Sequence, residues 1–279
     1  MAERPALNGE YMGNMVLTAV LSMVSLAVFF AAVLAFADKK LKVEEDPRIA
    51  EVYSHLPHVN CGACGYLSCH DFAEHIITGG EDPLKCRVLG EDAKEKLLEL
   101  LGHEGGESFP YFPLIRCSAK TANKPALSDY RGIQTCRGAG LVFSGGMECE
   151  YGCMGFGDCE AACPFEAITI VDGLPVVDMA KCTGCGKCAS SCPRGIITMV
   201  EKKVEKIYYV ACSTHDGALR VRKICGAGCI ACGICEKISK EGFFAVKDNL
   251  SREDLSKQDK QEEVGVVAAK CPTKVIKTL

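Results

Sequence analysis

Large aromatic side chains are scarce in this sequence. Tryptophan is absent, and aromatic residues make up only 7% of the 279 residues. Apolar packing alone would therefore hold small lobes weakly, so we expect other interactions to supply much of their stability.

Motifs of common active sites are missing as well. The sequence contains no P-loop, no nucleophile elbow and no pair of catalytic carboxylates. Gly138-Ala139-Gly140 begins like a dinucleotide loop, but Phe143 occupies the third glycine position. We therefore expect no flavin or nicotinamide site in this chain. The formal net charge is −4 and no long basic stripe is present, which argues against a nucleic-acid partner.

Cysteine, in contrast, is abundant, with 20 residues of this type. A disulfide scaffold is the alternative explanation, but that class of protein is short and secreted. The spacings indicate metal ligation instead. The run that starts at Cys182 is C-x2-C-x2-C-x3-C-P, the pattern of bacterial ferredoxins that bind [4Fe–4S] clusters.

A loosened copy of this run lies upstream and ends in Cys163-Pro164. In two-cluster ferredoxins the cysteine before the proline binds the neighbouring cluster. The rule predicts two interlocked ligand sets: Cys149, Cys153, Cys159 with Cys192, and Cys182, Cys185, Cys188 with Cys163. Between the runs, the segment 168–177 predicts a strand pair that turns at Asp172-Gly173.

A separate group of four cysteines lies nearer the N-terminus: Cys61, Cys64, Cys69 and Cys86. The apolar spacing after Cys69 predicts a helix that stops at Gly79-Gly80. A four-cysteine zinc site is the rival interpretation, because C-x2-C pairs also bind zinc. The long gap before Cys86 fits a zinc ribbon poorly and favours an iron–sulfur cluster.

The C-terminal cysteines indicate a second, decayed ferredoxin repeat. Aligning this region with the Cys182 run predicts one intact set: Cys229, Cys232, Cys235 and Cys271. The other set would have lost all its ligands, since the aligned positions are Ser239, Gln261, Val264 and Val267. Loss of one whole set with retention of its neighbour supports the cross-over pairing and leaves a sixth cluster in doubt.

Four cysteines remain after this grouping: Cys117, Cys136, Cys212 and Cys225. They are scattered, so spacing alone does not join them. We expect either a fifth cluster or isolated structural thiols, and hence four to five [4Fe–4S] clusters in the chain.

One uncharged run, Met15–Ala37, is long enough to cross a membrane. Its 23 residues would form a helix of about 35 Å, against a hydrocarbon core of about 30 Å. Lysines follow the run at once, at Lys39, Lys40 and Lys42. The positive-inside rule then predicts a single-pass protein of the cell (inner) membrane, with the N-terminus outside and the bulk of the chain in the cytoplasm. A buried core helix is the alternative.

These features predict an α+β chain in five parts. They are an anchor (residues 1–44), a small helical four-cysteine domain (45–101) and a linker rich in glycine and proline (102–116). A ferredoxin-like domain with flanking cysteines (117–225) follows, and then the degenerate repeat (226–279).

The order of these parts resembles one known family. An N-terminal membrane helix, the stretch from Ala37 to Ile49, Leu56-Pro57, the motif CGACGYLSC and a ferredoxin module are similar to the B subunit of the Rnf complex. The resemblance covers essentially the whole chain. It implies a translocase that moves electrons between ferredoxin and NAD and couples this to ion transport.

The same resemblance implies partners and a direction of electron flow. Soluble ferredoxin would give electrons to the ferredoxin-like region, and the Cys61 cluster would pass them to membrane and peripheral subunits of the complex. Two alternatives remain open at this point. One is the corresponding subunit of a related complex that reduces a redox-sensing transcription factor, and the other is a membrane-tethered polyferredoxin.

Overall fold

We describe a computed structural model of the chain. It describes residues 9–41, 46–102, 109–239, 242–260 and 264–279. The chain divides into two compact units at Pro47/Arg48.

The first unit contains one long helix, α1 (Gly9–Leu41). Its stretch Asn14–Lys40 has a mean hydropathy of 2.5 and none of its strongest window is buried within the protein. Among the described residues it is the single helix long and apolar enough to cross a membrane. The expected apolar helix is therefore confirmed.

The second unit begins with a small helical lobe. It comprises α2 (Pro47–His55), α3 (Cys69–Gly79) and α4 (Glu91–Leu101). The Ser68 hydroxyl accepts a hydrogen bond from the Asp71 amide at the start of α3, and Gly80 ends the helix with a φ of 64°. The predicted helix and its stop are thus confirmed. Buried apolar residues from all three helices share one core, which also contains Cys69 and Cys86.

The central module runs from β1 (Tyr111–Ile115) to β4 (Ile197–Glu201), and these two strands pair antiparallel. Inside it lie α5 (Cys136–Gly140), α6 (Asp158–Ala161), the hairpin β2 (Ile168–Val171) and β3 (Leu174–Val177), and α7 (Lys187–Ser191). The hairpin turns at Asp172-Gly173, as predicted, with φ positive at both residues.

The C-terminal module repeats this strand order. Strands β5 (Tyr208–Val210) and β8 (Ile276–Thr278) pair antiparallel at its ends. Between them lie α8 (Ala218–Ile224), α9 (Ile234–Ile238), the hairpin β6 (Phe244–Lys247) and β7 (Leu250–Glu253), and α10 (Val264–Lys270).

The expected domain boundaries need two corrections. Residues 111–115 lie in the expected linker, yet they form β1, because Tyr111–Ile115 pair antiparallel with β4 and Leu114 is completely buried. The boundary expected at residue 225 falls inside the C-terminal module, because β5 pairs with β8 well before that point in the chain. Strand pairing therefore places the boundary between the central and C-terminal modules between Glu201 and Tyr208.

Apolar side chains occupy two of the positions at which the sequence alignment expects a lost ligand set. Val264 and Val267 are 3% and 1% exposed, and they pack in one core with Phe243, Phe244 and Leu250. The Ser239 hydroxyl accepts a hydrogen bond from the Phe244 amide at 3.3 Å. Gln261 lies outside the described residues. Val264 and Val267 are therefore part of a packed core.

Candidate metal centres

The first cysteine set lies in the helical lobe. Buried Cys69 starts α3, and its amide donates a 2.8 Å hydrogen bond to the Asn60 side chain. Burial raises the pKa of the Cys86 thiol to about 11, and the neighbouring thiolates raise it further. Those neighbours are Cys61, Cys64 and Cys69. The four predicted side chains therefore lie together.

The second set combines α7 and its preceding loop with one cysteine from the other run. Burial raises the pKa of the Cys188 thiol to about 12, with further contributions from three nearby thiolates. They are Cys185, Cys182 and Cys163. Cys163 of the upstream run therefore lies beside the three cysteines of the Cys182 run. Gly184, in this loop, has a φ of 70°, and a Cβ there would collide with the Tyr111 carbonyl oxygen.

The third set differs from the predicted one. One cavity, with about 360 Å³ of empty space, is lined by Cys136, Cys153, Cys159 and Cys192. Cys136 takes the place expected for Cys149. The cause is the Asp158 carboxylate, which accepts hydrogen bonds from the Cys136 amide at 2.7 Å and the Arg137 amide at 3.0 Å. This contact holds the start of α5 beside α6, whereas Cys149 lies in another cavity.

The fourth set contains the scattered cysteines. A cavity with about 350 Å³ of empty space is lined by Cys117, Cys149, Cys212 and Cys225. Three of the four unassigned thiols therefore meet, and Cys149 replaces Cys136 as the fourth. Sequence reasoning had one usable signal: the interval Cys149-x3-Cys153 departs from the C-x2-C spacing of the intact run.

The fifth set is the one predicted for the C-terminal module. Cys229, Cys232, Cys235 and Cys271 line one cavity with about 360 Å³ of empty space. The Ser251 hydroxyl lies 3.1 Å from the Cys235 sulfur, and the Thr273 hydroxyl lies 3.7 Å from the Cys271 sulfur.

The geometry of these sets fits a bulky cluster. Within the described residues, no group of three or more His, Cys, Asp or Glu side chains converges closely enough to hold a single metal ion. In three of the five sets the thiols surround a cavity and do not meet at one point, and a cube of iron and sulfide requires such a cavity. A four-thiolate zinc ion would draw the sulfurs to within about 4 Å of each other.

Polar groups around the cavities also fit such a cluster. The Thr183 hydroxyl, between Cys182 and Cys185, is buried and has no hydrogen-bond partner among the described residues. A cluster sulfur is the acceptor that this donor lacks. Backbone amides already point at ligand sulfurs: Ala167 donates to Cys163 at 3.4 Å, and Cys229 donates to Cys212 at 3.3 Å.

Positive side chains lie directly behind the ligand backbone. The Lys124 ammonium donates to the Cys153 carbonyl at 2.9 Å, and Arg252 donates to the Cys212 carbonyl at 2.6 Å. Arg194 donates to the Cys149 carbonyl at 3.2 Å. These cations offset the negative charge that thiolate ligands concentrate in a partly buried region.

The cavities are weakly solvated, and this determines the state of the free thiols. Burial raises the pKa of Cys153 and of Cys159 to about 12. Without a metal, these thiols are neutral near pH 7, so binding of iron must displace their protons.

The five sets form a row. Besides burial, which dominates, the Cys61 thiolate raises the pKa of Cys185, so the first set adjoins the second. The second and third sets share the α6 and α7 segments through Cys163 and Cys192. Likewise, Cys117 packs against the apolar cluster that contains Cys153, and the Cys229 amide donates a hydrogen bond to the Cys212 sulfur at 3.3 Å. The order is therefore Cys61 set, Cys163 set, Cys136 set, Cys117 set and Cys229 set.

The helical lobe contacts the central module where this row begins. The Arg87 guanidinium lies 3.9 Å from the centroid of the Tyr111 ring. Tyr111 is also the residue whose carbonyl oxygen approaches Gly184, next to Cys185. Strand β1 therefore helps to bring the first two sets together.

Family models match two of these regions. A model described as a putative Fe–S cluster matches residues 56–88, which contain the Cys61 set. A model described as a 4Fe–4S binding domain matches residues 175–198, which contain the Cys182 run. Both matches support iron–sulfur clusters in this chain.

Curated relatives match nearly the whole chain. The B subunit of an ion-translocating oxidoreductase complex from Methanosarcina acetivorans is 37% identical over 95% of this chain and 99% of its own length. The B subunit of a Na(+)-translocating ferredoxin:NAD(+) oxidoreductase complex from Acetobacterium woodii is 36% identical over 89% of this chain and 74% of its own length. The B subunit of a proton-translocating ferredoxin:NAD(+) oxidoreductase complex from Clostridium ljungdahlii is 33% identical over 95% of this chain and 93% of its own length.

Proposed function

This chain belongs to the family of B subunits of ion-translocating oxidoreductase complexes, and on this basis we propose how its residues serve electron transfer. The chain is the iron–sulfur electron-transfer subunit of a ferredoxin:NAD oxidoreductase complex that translocates ions. It accepts electrons from reduced ferredoxin and passes them to membrane partner subunits.

The observation that carries this proposal is the continuous row of five thiol sets. Each cluster, when bound, accepts and donates one electron without a proton or a broken bond. The protein's part is to hold neighbouring sets close together, to exclude water and to place cations and amides around the sulfurs. No acid–base residue is needed for this chemistry.

We propose that all twenty cysteines are cluster ligands, in five sets of four. Anaerobic iron and sulfide analysis of reconstituted full-length protein should then give about 20 iron atoms per chain. A content near eight, or stoichiometric zinc, would contradict the assignment.

The exchange of Cys136 and Cys149 has its own test. If Cys149 and Cys212 bind one cluster, the double variant Cys149→Ala/Cys212→Ala should lose about four irons, the same as either single variant. Cys149→Ala/Cys159→Ala should lose about eight, because those residues belong to different sets. The reverse pattern, a loss of about eight irons in Cys149→Ala/Cys212→Ala and about four in Cys149→Ala/Cys159→Ala, would support the arrangement expected from spacing.

We further propose that α1 anchors the chain in the cell membrane with its N-terminus outside. Lys39 and Lys40 in the last turn of the helix support the orientation. A thiol-reactive label cannot test this in a chain so rich in cysteine. Protease protection of an N-terminal epitope tag in sealed right-side-out vesicles is suitable, and the tag should be cleaved from outside.

We propose that electrons leave the chain through the Cys61 set. This set lies nearest in sequence to α1, and it adjoins a single other set among the described residues. Cys64→Ala should abolish that cluster and reduce ferredoxin:NAD turnover of the complex by orders of magnitude. The remaining clusters should still be reduced rapidly by ferredoxin. Unchanged turnover without this cluster would place the exit elsewhere.

The decayed second repeat is also a proposal, supported by the matching strand order of the two modules and by the retained Cys229 set. A regulatory complex that reduces a transcription factor would use the same row of clusters. Co-purification of the chain with ion-translocating membrane subunits that carry flavin distinguishes this alternative, and a free polyferredoxin, from the proposed complex.

A further inference from the structure

The outer end of the row is more open than the rest. The Cys229 set is last in the row, and Cys232 is the one exposed cysteine among the twenty. Electron transfer between proteins needs the two centres to approach closely, so a buried ligand set in the middle of the row is a poor entry point. The Cys229 set is the part of the row that a soluble protein can reach from outside.

A small apolar rim surrounds Cys232. Ala231 and Ile234 come from the loop and helix on one side, and Pro272 comes from the segment before β8 on the other. Ile234 is 37% exposed, and Ala231 has a positive φ of 50°, an uncommon conformation for alanine. The strained loop therefore presents Cys232 at the surface, within an apolar patch of the kind found at the centre of protein contacts.

Three lysines lie close in sequence to the residues of this rim. Lys237 on α9, Lys270 at the end of α10 and Lys274 are all exposed. Within the described part of the chain, none of these three lysines forms an ion pair. The acid on α9, Glu236, is engaged by a hydrogen bond from the Val246 amide at 3.2 Å. The three lysines outnumber this acid, which keeps its negative charge, so the described side chains next to the rim carry a net positive charge on a chain whose formal net charge is −4.

We propose that this surface, the Cys232 face (Ala231, Cys232, Ile234, Lys237, Lys270, Pro272 and Lys274), is the docking site for a small acidic protein that carries a one-electron iron–sulfur centre. The inference rests on the proposed function and locates the donor's contact. The lysines attract and orient the acidic donor, and the apolar rim excludes water where the two proteins touch. One electron leaves the donor's reduced centre and enters this chain, with no bond formed or broken.

Charge reversal on the intact protein tests the docking site. The probe is a reduced bacterial [4Fe–4S] ferredoxin, mixed by stopped flow with the reconstituted full-length chain in detergent. In Lys237→Glu/Lys270→Glu/Lys274→Glu, the second-order rate of reduction at low salt should fall by about tenfold or more. The steep salt dependence expected of the wild type should flatten or invert. Calorimetry with oxidised ferredoxin should show a matching loss of affinity, which does not depend on turnover.

Two controls make the result specific. Lys96→Glu reverses an exposed lysine on α4, in the lobe at the other end of the row, and should leave ferredoxin binding and reduction unchanged. Dithionite needs no docking site and should reduce the triple variant as fast as the wild type. Iron content should be equal in all three proteins.

The outcomes separate the docking site from the function. Wild-type rates and salt dependence in the triple variant would overturn the Cys232 face while leaving the electron-transfer role intact. An equal loss in Lys96→Glu would show that only overall charge matters, which also overturns it. If dithionite reduces the wild type but reduced ferredoxin does not, the donor is of another class, and both this proposal and the proposed function fail.

Discussion

The central and C-terminal modules have the same strand order but are stabilised in different ways. In the central module the outer pair β1·β4 and the hairpin β2·β3 enclose two thiol sets. In the C-terminal module the pairs β5·β8 and β6·β7 enclose one thiol set and a packed apolar core. The same backbone arrangement can therefore be held either by a cluster or by phenylalanine and valine side chains.

One pair of equivalent positions summarises the difference. Ala167 precedes β2 and is 2% exposed, and its amide donates to the Cys163 sulfur. Phe243 occupies the same place before β6 and is 1% exposed. A small residue leaves room beside the thiols in the central module, and a large ring fills the equivalent space in the C-terminal module.

The largest expected effect comes from exchanging these residues. Ala167→Phe should prevent the Cys163 set from holding its cluster, because the ring would occupy the space beside the ligands. Iron content should fall by about four atoms per chain. Thr169→Phe, at an exposed position of β2, is the matched control and should keep full iron content. Retention of all the iron in Ala167→Phe would contradict the proposed equivalence of the two positions.

The reverse exchange should affect stability and leave the iron content unchanged. Phe243→Ala should open a cavity and destabilise the hairpin β6·β7 by about 3–5 kcal/mol. Amide hydrogen exchange in Phe244–Lys247 measures this locally in the cluster-loaded protein. Val266→Ala, on a side chain that is 56% exposed, should change protection by less than about 0.5 kcal/mol. If Phe243→Ala leaves hydrogen-exchange protection unchanged, the Cys229 cluster alone stabilises this module.

A buried ion pair links the two modules and provides a third test. Arg116 follows β1, and its guanidinium donates to the Glu253 carboxylate at the end of β7, with the residues 7% and 9% exposed. Glu253 also accepts the Val210 amide at 2.9 Å. Glu253→Gln leaves Arg116 as a buried, uncompensated charge and should cost about 3–5 kcal/mol in hydrogen-exchange protection of β5.

A second variant distinguishes charge from packing at this pair. Arg116→Met/Glu253→Gln removes both charges and keeps a side-chain oxygen for the Val210 amide, so it should recover much of the lost protection. If the double variant is as unstable as Glu253→Gln, side-chain packing holds the two modules together at this point, and the charges of Arg116 and Glu253 contribute little to stability.

The smallest effect concerns the loops between ligands. Thr183 in the central module offers a buried hydroxyl, whereas the equivalent loop of the Cys229 set contains Ile230 and Ala231. A hydrogen bond to a cluster sulfur stabilises the reduced, more negative state. Thr183→Val should therefore lower the reduction potential of the adjacent cluster by about 20–45 mV, equivalent to about 0.5–1 kcal/mol, with full iron content. Redox titration followed by electron paramagnetic resonance measures the shift, and an unchanged potential would leave this hydroxyl without a role in tuning.

Short-range spacing predicted much of this molecule. The helix after Cys69 and the turn at Asp172-Gly173 are confirmed, and Cys163 lies beside the Cys182 run, because each feature depends on residues close in sequence or on a regular repeat. The apolar run that forms α1 was equally plain, since length and composition define it.

Long-range contacts explain what spacing missed. The exchange of Cys136 and Cys149 depends on Asp158, which holds α5 from a position 22 residues away. Nothing in the interval between the cysteines encodes that hydrogen bond. Strand β1 was mistaken for a linker because glycine and proline surround it, and its partner β4 lies more than eighty residues later in the chain. Such pairings are decided by burial in the folded state.

The spread of each ligand set along the chain has a consequence for biogenesis. The Cys61 set is complete once Cys86 has been synthesised, so its metal can be delivered while the ribosome is still translating the rest. The Cys117 set must wait for Cys225, and the Cys229 set must wait for Cys271, the last cysteine of the chain. During that interval the nascent chain carries unligated thiols and exposed apolar segments, which are vulnerable to oxidation and aggregation. Maturation is therefore expected to proceed from the Cys61 set outward, with the Cys229 set completed last.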